Sequence, residues 1–312
     1  MVTAFGPPSL SNLGPGFDAL GLCVTGPRDR VTAWATDAPG VRVEQDEEPT
    51  PGIPSDPQKN TAARAAMAVL QAAGATHGLG IRIEKGIPLG SGIGGSAASA
   101  VAGAWAANET LGRPLRKTEL VDAVLDGEAA TGSRHGDNVL PALFGGLVLV
   151  DAAEPSRYRR LALPSMPPLA VVLPQVRVLT HEARAVLPAA VPHGDASAQA
   201  AALAFLLDAL RAGDWPEAGR ALMTDRLAEP FRAPLVPVYG AVRRAALDAG
   251  SLGCALSGSG PAMMAFAPES GDAQPVLDAM LHACRATGTD ATGWLAEVDT
   301  EGVRTLEDRS SA

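Results

Sequence analysis

The sequence predicts an α+β protein of two domains, and three observations carry that expectation. The chain has 312 residues, more than the roughly 100–200 of a single domain. Short strand-like segments alternate with alanine-rich helical stretches on both sides of a Pro-rich crossover, "LPSMPPLA" at 163–170. Beyond that crossover, with its middle helices taken as one layer, the order is strand–helix–strand–strand–helix–strand, the split βαβ arrangement. The expected division is 1–164 and 165–312.

Residues 2–6, 30–35 and 41–44 alternate in side-chain character and read as strands. The stretch "EQDEEPTPGIPSDPQK" is rich in proline and acid and reads as a surface loop. From 60 to 73 the pattern is helical and stops near Gly74. A strand over 79–85, "LGIRIEK", leads into a glycine loop, then come helices over 96–108 and 118–129. "NVLPALFGGLVLVD" (138–151) is an apolar run broken by two glycines. After the crossover come a strand over 169–173, helices near 196–211, 216–228 and 237–249, and two short strands flanking "SGSGP". A helix over 272–286 and a strand over 292–298 close the chain, which has no internal repeat.

Composition narrows the partners. Hydrophobic residues at 46% with charged residues at 19% support a sizeable core and argue against disorder. Aromatics at 4% argue against base stacking on nucleic acid, and a net charge of −9 argues against a phosphate-backbone partner. Cys23, Cys254 and Cys284 are odd in number and lack metal or redox spacing. They read as buried free thiols in a reducing compartment. The first residues, "MVTAFGPPSLSNLG", show no basic leader. No stretch approaches the ~20 apolar residues of a membrane span. The expectation is a cytoplasmic protein with no membrane partner.

One stretch asks for a chemical reason. "GIPLGSGIGGSAASA" (86–100) holds five glycines and three serines around one proline, although glycine costs about 0.5–1 kcal/mol relative to alanine in regular structure. A Walker loop needs Gly-Lys-[Ser/Thr] at its end, and the chain has no lysine between Lys85 and Lys117. The spacing of Gly90, Gly92 and Gly95 matches the dinucleotide fingerprint, but that pattern needs a strand ending in an acid about 20 residues on. Here Glu109 instead ends a helix, and a second helix follows. The remaining reading is an anion cradle: bare loop amides followed by a helix N-terminus with roughly half a positive charge. Pro88, Leu89, Gly90, Ser91, Gly92, Ile93, Gly94 and Gly95 form the loop, and Ser96, Ala97, Ala98 and Ser99 open the helix. The hydroxyls of Ser91, Ser96 and Ser99 can serve phosphate oxygens or a metal. The bland alternative is a flexible turn capping a helix, for which five glycines in ten residues are excessive.

"PLGSGIGGSAASA" resembles the phosphate loop of the GHMP kinases, Pro-x-x-x-Gly-Leu-Gly-Ser-Ser-Ala. Five further segments narrow the resemblance to the homoserine kinases of that superfamily: "PPSLSNLGPGFDALGL" (7–22), "HGDNVLPALFGG" (135–146), "LTHEARAVLP" (179–188), "AEPFR" (228–232) and "LSGSGPAMMAF" (256–266). They occur in the family's order and cover the chain from end to end. The resemblance implies a two-domain GHMP kinase fold, with an N-terminal domain like ribosomal protein S5 domain 2 and a ferredoxin-like C-terminal domain. It implies transfer of the ATP γ-phosphoryl group to the side-chain hydroxyl of L-homoserine, a step toward threonine, with Mg²⁺ and in a homodimer.

Residue by residue, the resemblance gives Ser96 and Glu128 to the metal. It puts Asn60 near the adenine, where an N-cap is an equal alternative. It gives Asp18 to the substrate ammonium, Asn12 to the hydroxyl, and Arg184 with Arg232 to the carboxylate. His135, Asp137 and Asn138 line the same pocket, and no residue stands out as a general base. Ser257, Gly258, Ser259 and Gly260 form a tight turn that can face the phosphate loop, with a plain hairpin as the alternative. Gly95 departs from the family, which has serine there, so a hydroxyl is lost while an amide remains. Two other readings compete: another small-molecule kinase of the superfamily, or a non-catalytic ATP-binding regulator. The lysine that mevalonate kinases carry near the first strand is absent from "TAFGPPSLSN". The galactokinase sugar motif is absent as well.

Overall fold

The computed structural model describes residues 1–44, 51–132, 134–268 and 270–306. Part of the acid-rich loop expected before Asn60, residues 45–50, lies outside these. The chain opens with β1 (Val2–Gly6), β2 (Ser9–Ser11), β3 (Leu20–Cys23), β4 (Asp29–Thr36) and β5 (Val41–Glu44). Then come α1 (Thr61–Ala73), β6 (Gly78–Glu84), α2 (Gly95–Thr110), α3 (Val121–Glu128), α4 (Gly136–Phe144), β7 (Leu147–Val150) and β8 (Tyr158–Leu161). Strands β1, β4, β6 and β5 lie side by side in one sheet, in which only β5 and β6 are parallel. A second, antiparallel sheet runs β2-β3-β7-β8.

Local chemistry sets the helix boundaries. Asn60 caps α1 by accepting the Ala63 amide at 3.1 Å, and Gly74 ends it at φ +62°. Its buried stripe is Ala62, Ala63, Ala65, Ala66, Val69 and Leu70, the spacing of one helix face. Helix α2 has no polar face because it runs through the core, with residues from Ala97 to Ala107 buried on nearly every side. A Cβ on Gly103 would sit 2.4 Å from the Ala62 carbonyl oxygen, so α1 and α2 approach at backbone distance.

The second half begins with β9 (Leu169–Pro174), α5 (Thr180–Ala185), α6 (His193–Ala212), α7 (Trp215–Leu222), α8 (Glu229–Arg232) and α9 (Tyr239–Asp248). It continues through β10 (Cys254–Leu256), β11 (Met263–Phe266), α10 (Gln274–Ala286) and β12 (Ala291–Ala296). The sheet order is β10-β11-β9-β12, antiparallel throughout. In chain order that is 2-3-1-4, the ferredoxin-like pattern. The last strand, β13 (Arg304–Thr305), crosses back and pairs with β1 at the edge of the first sheet.

Several sequence expectations change. The helix expected over 216–228 stops at Leu222, because the amides of Leu227, Ala228 and Glu229 bond the Asp225 carboxylate instead of a helical carbonyl. The helix expected over 118–129 is a 3-10 turn (Lys117–Leu120) followed by α3. The apolar run 138–151 resolves into α4, a glycine pair at φ +78° and +72°, and β7. Pro141 sits inside α4 and has no N–H for Asp137, whose carbonyl packs against the Cα of Gly21. Strands β2, β3, β8 and β13 and helices α5 and α8 are too short for periodicity to reveal.

Candidate active site

A cleft of about 350 Å³ opens between the glycine loop, the 12–18 segment, the start of α4, helices α5 and α8, and the 257–261 turn. Its donor half is backbone. Gly90, Gly92 and Gly94 hold φ of +69°, +78° and +72°, a region that side chains enter only at a cost. A Cβ on Gly92 would lie 2.6 Å from the Gly260 carbonyl oxygen, and one on Gly94 would lie 2.2 Å from Ser9 Oγ. The loop is latched across the interface: Ser257 Oγ donates to the Gly92 carbonyl at 2.7 Å, and the Ala262 amide to the Ser91 carbonyl at 3.1 Å.

Beneath the loop lies a buried ionic root. Lys85 Nζ pairs with Asp29 and also donates to the Gly95 carbonyl (2.9 Å) and Ser99 Oγ (3.1 Å). Asp29 accepts the amides of Gly86 and Ile87 at 3.1 and 3.0 Å. The Ser99 hydroxyl donates to Asp29 at 2.6 Å. Its polar contacts therefore fasten the loop to β4, and Ser99 also lines the cleft. Ile53, Pro54, Ile83 and Leu89 line the far end of the cleft. Asn60 lines it too, but its side chain caps α1 and donates to the Pro54 carbonyl at 2.8 Å.

The acceptor half is made of side chains that bond one another. Arg184, on α5, forms a bidentate pair with Asp18 at 2.8 and 2.7 Å, and its Nη2 lies 2.9 Å from His135 Nε2. Burial, then the charge of Arg184, holds the His135 imidazolium below its usual range. Arg232 is 4% exposed and donates to the carbonyls of Ala183 (3.1 Å) and Gly258 (2.9 Å). Both guanidinium groups lie about 5 Å from the Phe17 ring, at 5.2 and 5.1 Å, within cation–π reach. Asn12 donates to the same Gly258 carbonyl at 3.2 Å and accepts the Asp18 amide. Asn138 donates to Ser11 Oγ and accepts from Ser9 Oγ, both at 3.0 Å.

Between the halves, three residues that line the cleft each carry a buried polar atom with no hydrogen-bond partner among the described residues: Ser91 Oγ, Glu128 Oε2 and Asp137 Oδ1. The other oxygen of Glu128 accepts from Ser96 Oγ at 2.9 Å. Burial pushes Glu128 up to about 8, against the opposing hydrogen bond from Ser96. Burial, reinforced by the charge of Asp18, pushes Asp137 up to about 7. Orphaned buried polar groups are rare and call for a partner.

Of the residues the sequence nominated, most line this one cleft. Ile93, Ala97, Ala98, Ser257 and Gly260 do not. Ile93, Ala97 and Ala98 are fully buried core side chains. Ser257 and Gly260 form the back of the turn that packs on Gly92. The structure adds Ser11, Lys85 and Thr180 to the lining and Asp29 and Phe17 just behind it. Lys85 was legible as a rare lysine entering the loop. Asp29 had no local signal, since its partners lie just beyond β6 (Lys85, Gly86 and Ile87) and in α2 (Ser99).

The model for the GHMP kinases N terminal domain matches residues 60–146, and that for the GHMP kinases C terminal region matches 206–286. A homoserine kinase from Chlorobaculum tepidum is 36% identical over 325 residues, covering 99% of each chain. One from Thermococcus kodakarensis is 39% identical over 285 residues, covering 91% of this chain and 94% of its own. The crystal structure of homoserine kinase from Cytophaga hutchinsonii superposes with a TM-score of 0.93 at 36% identity, covering 98% of this chain and 97% of the other. With relatives at 36–39% identity over nearly the full length and both GHMP kinase domain models matched, the chain belongs to the homoserine kinase family of GHMP kinases.

Proposed function

We propose that this chain transfers the γ-phosphoryl group of ATP to the side-chain hydroxyl of L-homoserine, giving O-phospho-L-homoserine and ADP. The observation that carries the reading is the row of orphaned polar atoms, Ser91 Oγ, Glu128 Oε2 and Asp137 Oδ1, running from the glycine loop to the charged acceptor pocket. One end suits polyphosphate and the other a small zwitterion. The loop amides from Gly90 to Gly95 and the N-terminus of α2 receive the phosphates, since glycine lets the backbone come close and the helix dipole favours negative charge. Ile53, Pro54, Ile83 and Leu89 offer the base an apolar slot.

The orphaned Glu128 oxygen beside Ser96 fits a divalent cation, and hard oxygen ligands with few carboxylates suit Mg²⁺ held jointly by substrate phosphates. An ion held by Ser96 and Glu128 would supply charge stabilisation for the transferring phosphoryl group. At the acceptor end, Asp18 receives the ammonium group, and Arg184 with Arg232 the carboxylate, for which a planar guanidinium is the matched donor. Asn12, Asn138 and Asp137 line the space where the hydroxyl enters. His135 turns a ring nitrogen to Arg184 and so acts as a spacer for that guanidinium, not as a base. The hydroxyl oxygen forms its bond to the γ-phosphorus as the bond to the β-phosphate bridge breaks, and the proton leaves through phosphate or water. Positioning and charge stabilisation dominate such transfers.

The same reading carries a domain division at 164–165, with β13 returned to the first unit, a homodimer, and a cytoplasmic location. Among the described residues no helix is long and apolar enough to cross a membrane. The test is a coupled ADP-release assay with a panel of hydroxylated amino acids, mevalonate and galactose. Homoserine should be the preferred acceptor and yield O-phospho-L-homoserine; faster turnover of mevalonate or galactose would reject the assignment.

A further inference from the structure

Outside the cleft, one buried amide joins the two arms of the acceptor pocket. Gln199, on α6, is 5% exposed. Its Nε2 donates to the Pro15 carbonyl at 2.9 Å and to Asp225 Oδ1 at 2.8 Å, and its Oε1 accepts the Arg226 amide at 2.8 Å. Asp225 in turn accepts the amides of Leu227 (2.9 Å), Ala228 (3.2 Å) and Glu229, the residues that lead into α8. The Arg232 amide bonds the Ala228 carbonyl at 3.0 Å, so Arg232 rides on the turn that Asp225 organises. Pro15 belongs to the segment carrying Asp18, in which Asn12, Leu13 and Asp18 all hold positive φ (71°, 48° and 57°). Non-glycine residues keep such angles only where their surroundings over-determine them.

We infer that Gln199 and Asp225 are positioning residues that fix the spacing between Asp18 and Arg232, and thereby the ammonium-to-carboxylate span the pocket accepts. The inference rests on the homoserine reading above. A leucine at 199 would fill this face of α6, but it would leave the Pro15 carbonyl and the Arg226 amide without the partner that Gln199 gives them, and Asp225 with one donor fewer. The amide therefore does something that packing does not require. It ties a loop of the N-terminal half to a turn of the C-terminal half, behind the site and without touching its lining. Misplacing a binding group by about 1 Å can cost about a hundredfold in rate, so a tie of this kind sets recognition.

The test measures homoserine and ATP kinetics separately, with thermal midpoints, for wild type, Gln199→Leu, Asp225→Ala and the double variant. Each single variant should raise the homoserine KM by about tenfold while the ATP KM stays near wild type. The double variant should be no worse than the worse single variant, because both cut one tie. Discrimination against the β-amino-acid isomer of homoserine, in which one more carbon separates ammonium from carboxylate, should shrink. Gln199→Met, which keeps length and burial, must show the same split and serves if Gln199→Leu does not fold. An unchanged homoserine KM in a folded variant, or both KM values moving together with the thermal midpoint, overturns the inference. Absence of homoserine turnover in the wild type would instead overturn the functional reading, and this inference with it.

Discussion

The donor and acceptor halves of the cleft are built from different materials. The phosphate cradle is one continuous stretch of backbone in which Gly90, Gly92 and Gly94 hold φ values that other residues reach only at a cost. The acceptor pocket gathers Asp18, His135, Arg184 and Arg232 from four separate segments; side-chain bonds join the first three, and Arg232 is held by the Ala183 and Gly258 carbonyls. A backbone site tolerates changes of side chain but not an added Cβ. A side-chain site tolerates small shifts of backbone, but each charged member also holds its neighbours, so a deletion spreads.

The largest effect should come where the halves meet. Glu128 is the buried acid beside Ser96 with a free oxygen. If it helps hold a cation worth several kcal/mol to the transition state, Glu128→Gln should lower kcat by about 10³-fold with the circular dichroism spectrum unchanged. Normal turnover with normal magnesium dependence would remove Glu128 from the site.

The acceptor half predicts spreading. Removing one partner of a buried charged contact costs about 2–5 kcal/mol, so Arg232→Ala should raise the homoserine KM at least about tenfold. Arg232 also clasps the Gly258 carbonyl, and the adjoining Ser257 latches Gly92 of the phosphate loop. The ATP KM should therefore rise as well. Arg184→Ala, whose guanidinium bonds only Asp18 and His135 in this network, should change the homoserine KM alone. Equal behaviour of the two variants would erase the distinction.

The donor half predicts sharp dependence on position. Gly92→Ala combines φ +78° with carbonyl oxygens 2.6 and 2.7 Å from the new Cβ, and left-handed backbone alone costs about 1–2 kcal/mol. It should raise the ATP KM about tenfold and lower the thermal midpoint. Gly95→Ala meets a single Ile87 methyl at 3.0 Å with no positive φ, a milder clash than two carbonyl oxygens, and should change the ATP KM less than Gly92→Ala does. Steady-state ATP titrations of the pair check both.

The same contrast explains what the sequence disclosed. The cradle was legible because everything it needs is local: glycine spacing, a proline before it and a helix start after it. The acceptor acids and arginines were legible only through resemblance, since nothing near Arg184 or Arg232 in the chain marks them apart from surface arginines. The loop pattern also offered Ser99 to phosphate, and resemblance put Asn60 near the adenine with an N-cap as the alternative; both line the cleft, where Ser99 bonds Asp29 and Asn60 caps α1. These contacts have one cause. A hydroxyl or amide is satisfied by whichever partner the fold brings near, and Asp29 and Pro54 are not marked as those partners by any local pattern.

The smallest effect on activity, and the finest probe of the acceptor half, lies at Glu229. This residue opens α8, accepts the Leu256 amide at 3.0 Å and accepts the Tyr239 hydroxyl, so it braces the helix of Arg232 against β10. Burial pushes its carboxyl up to about 7, against the lowering effect of both hydrogen bonds. In the unfolded chain a glutamate titrates near 4.3. Between about 4.3 and about 7 the folded protein therefore holds a proton that the unfolded chain has released, so this contribution to stability is full at low pH and is lost as pH rises through about 7. A glutamine in its place cannot titrate, yet it can still accept the Leu256 amide and bond Tyr239. Relative to wild type, the stability of Glu229→Gln should therefore climb with pH across that window, by at most about 3–4 kcal/mol at 1.36 kcal/mol per pH unit. Turnover should change little, because the brace survives. Urea unfolding of both proteins at pH 5, 6, 7 and 8 decides the matter: parallel curves would mean that Glu229 is ionised in the folded protein throughout, and that its hydrogen bonds outweigh its burial.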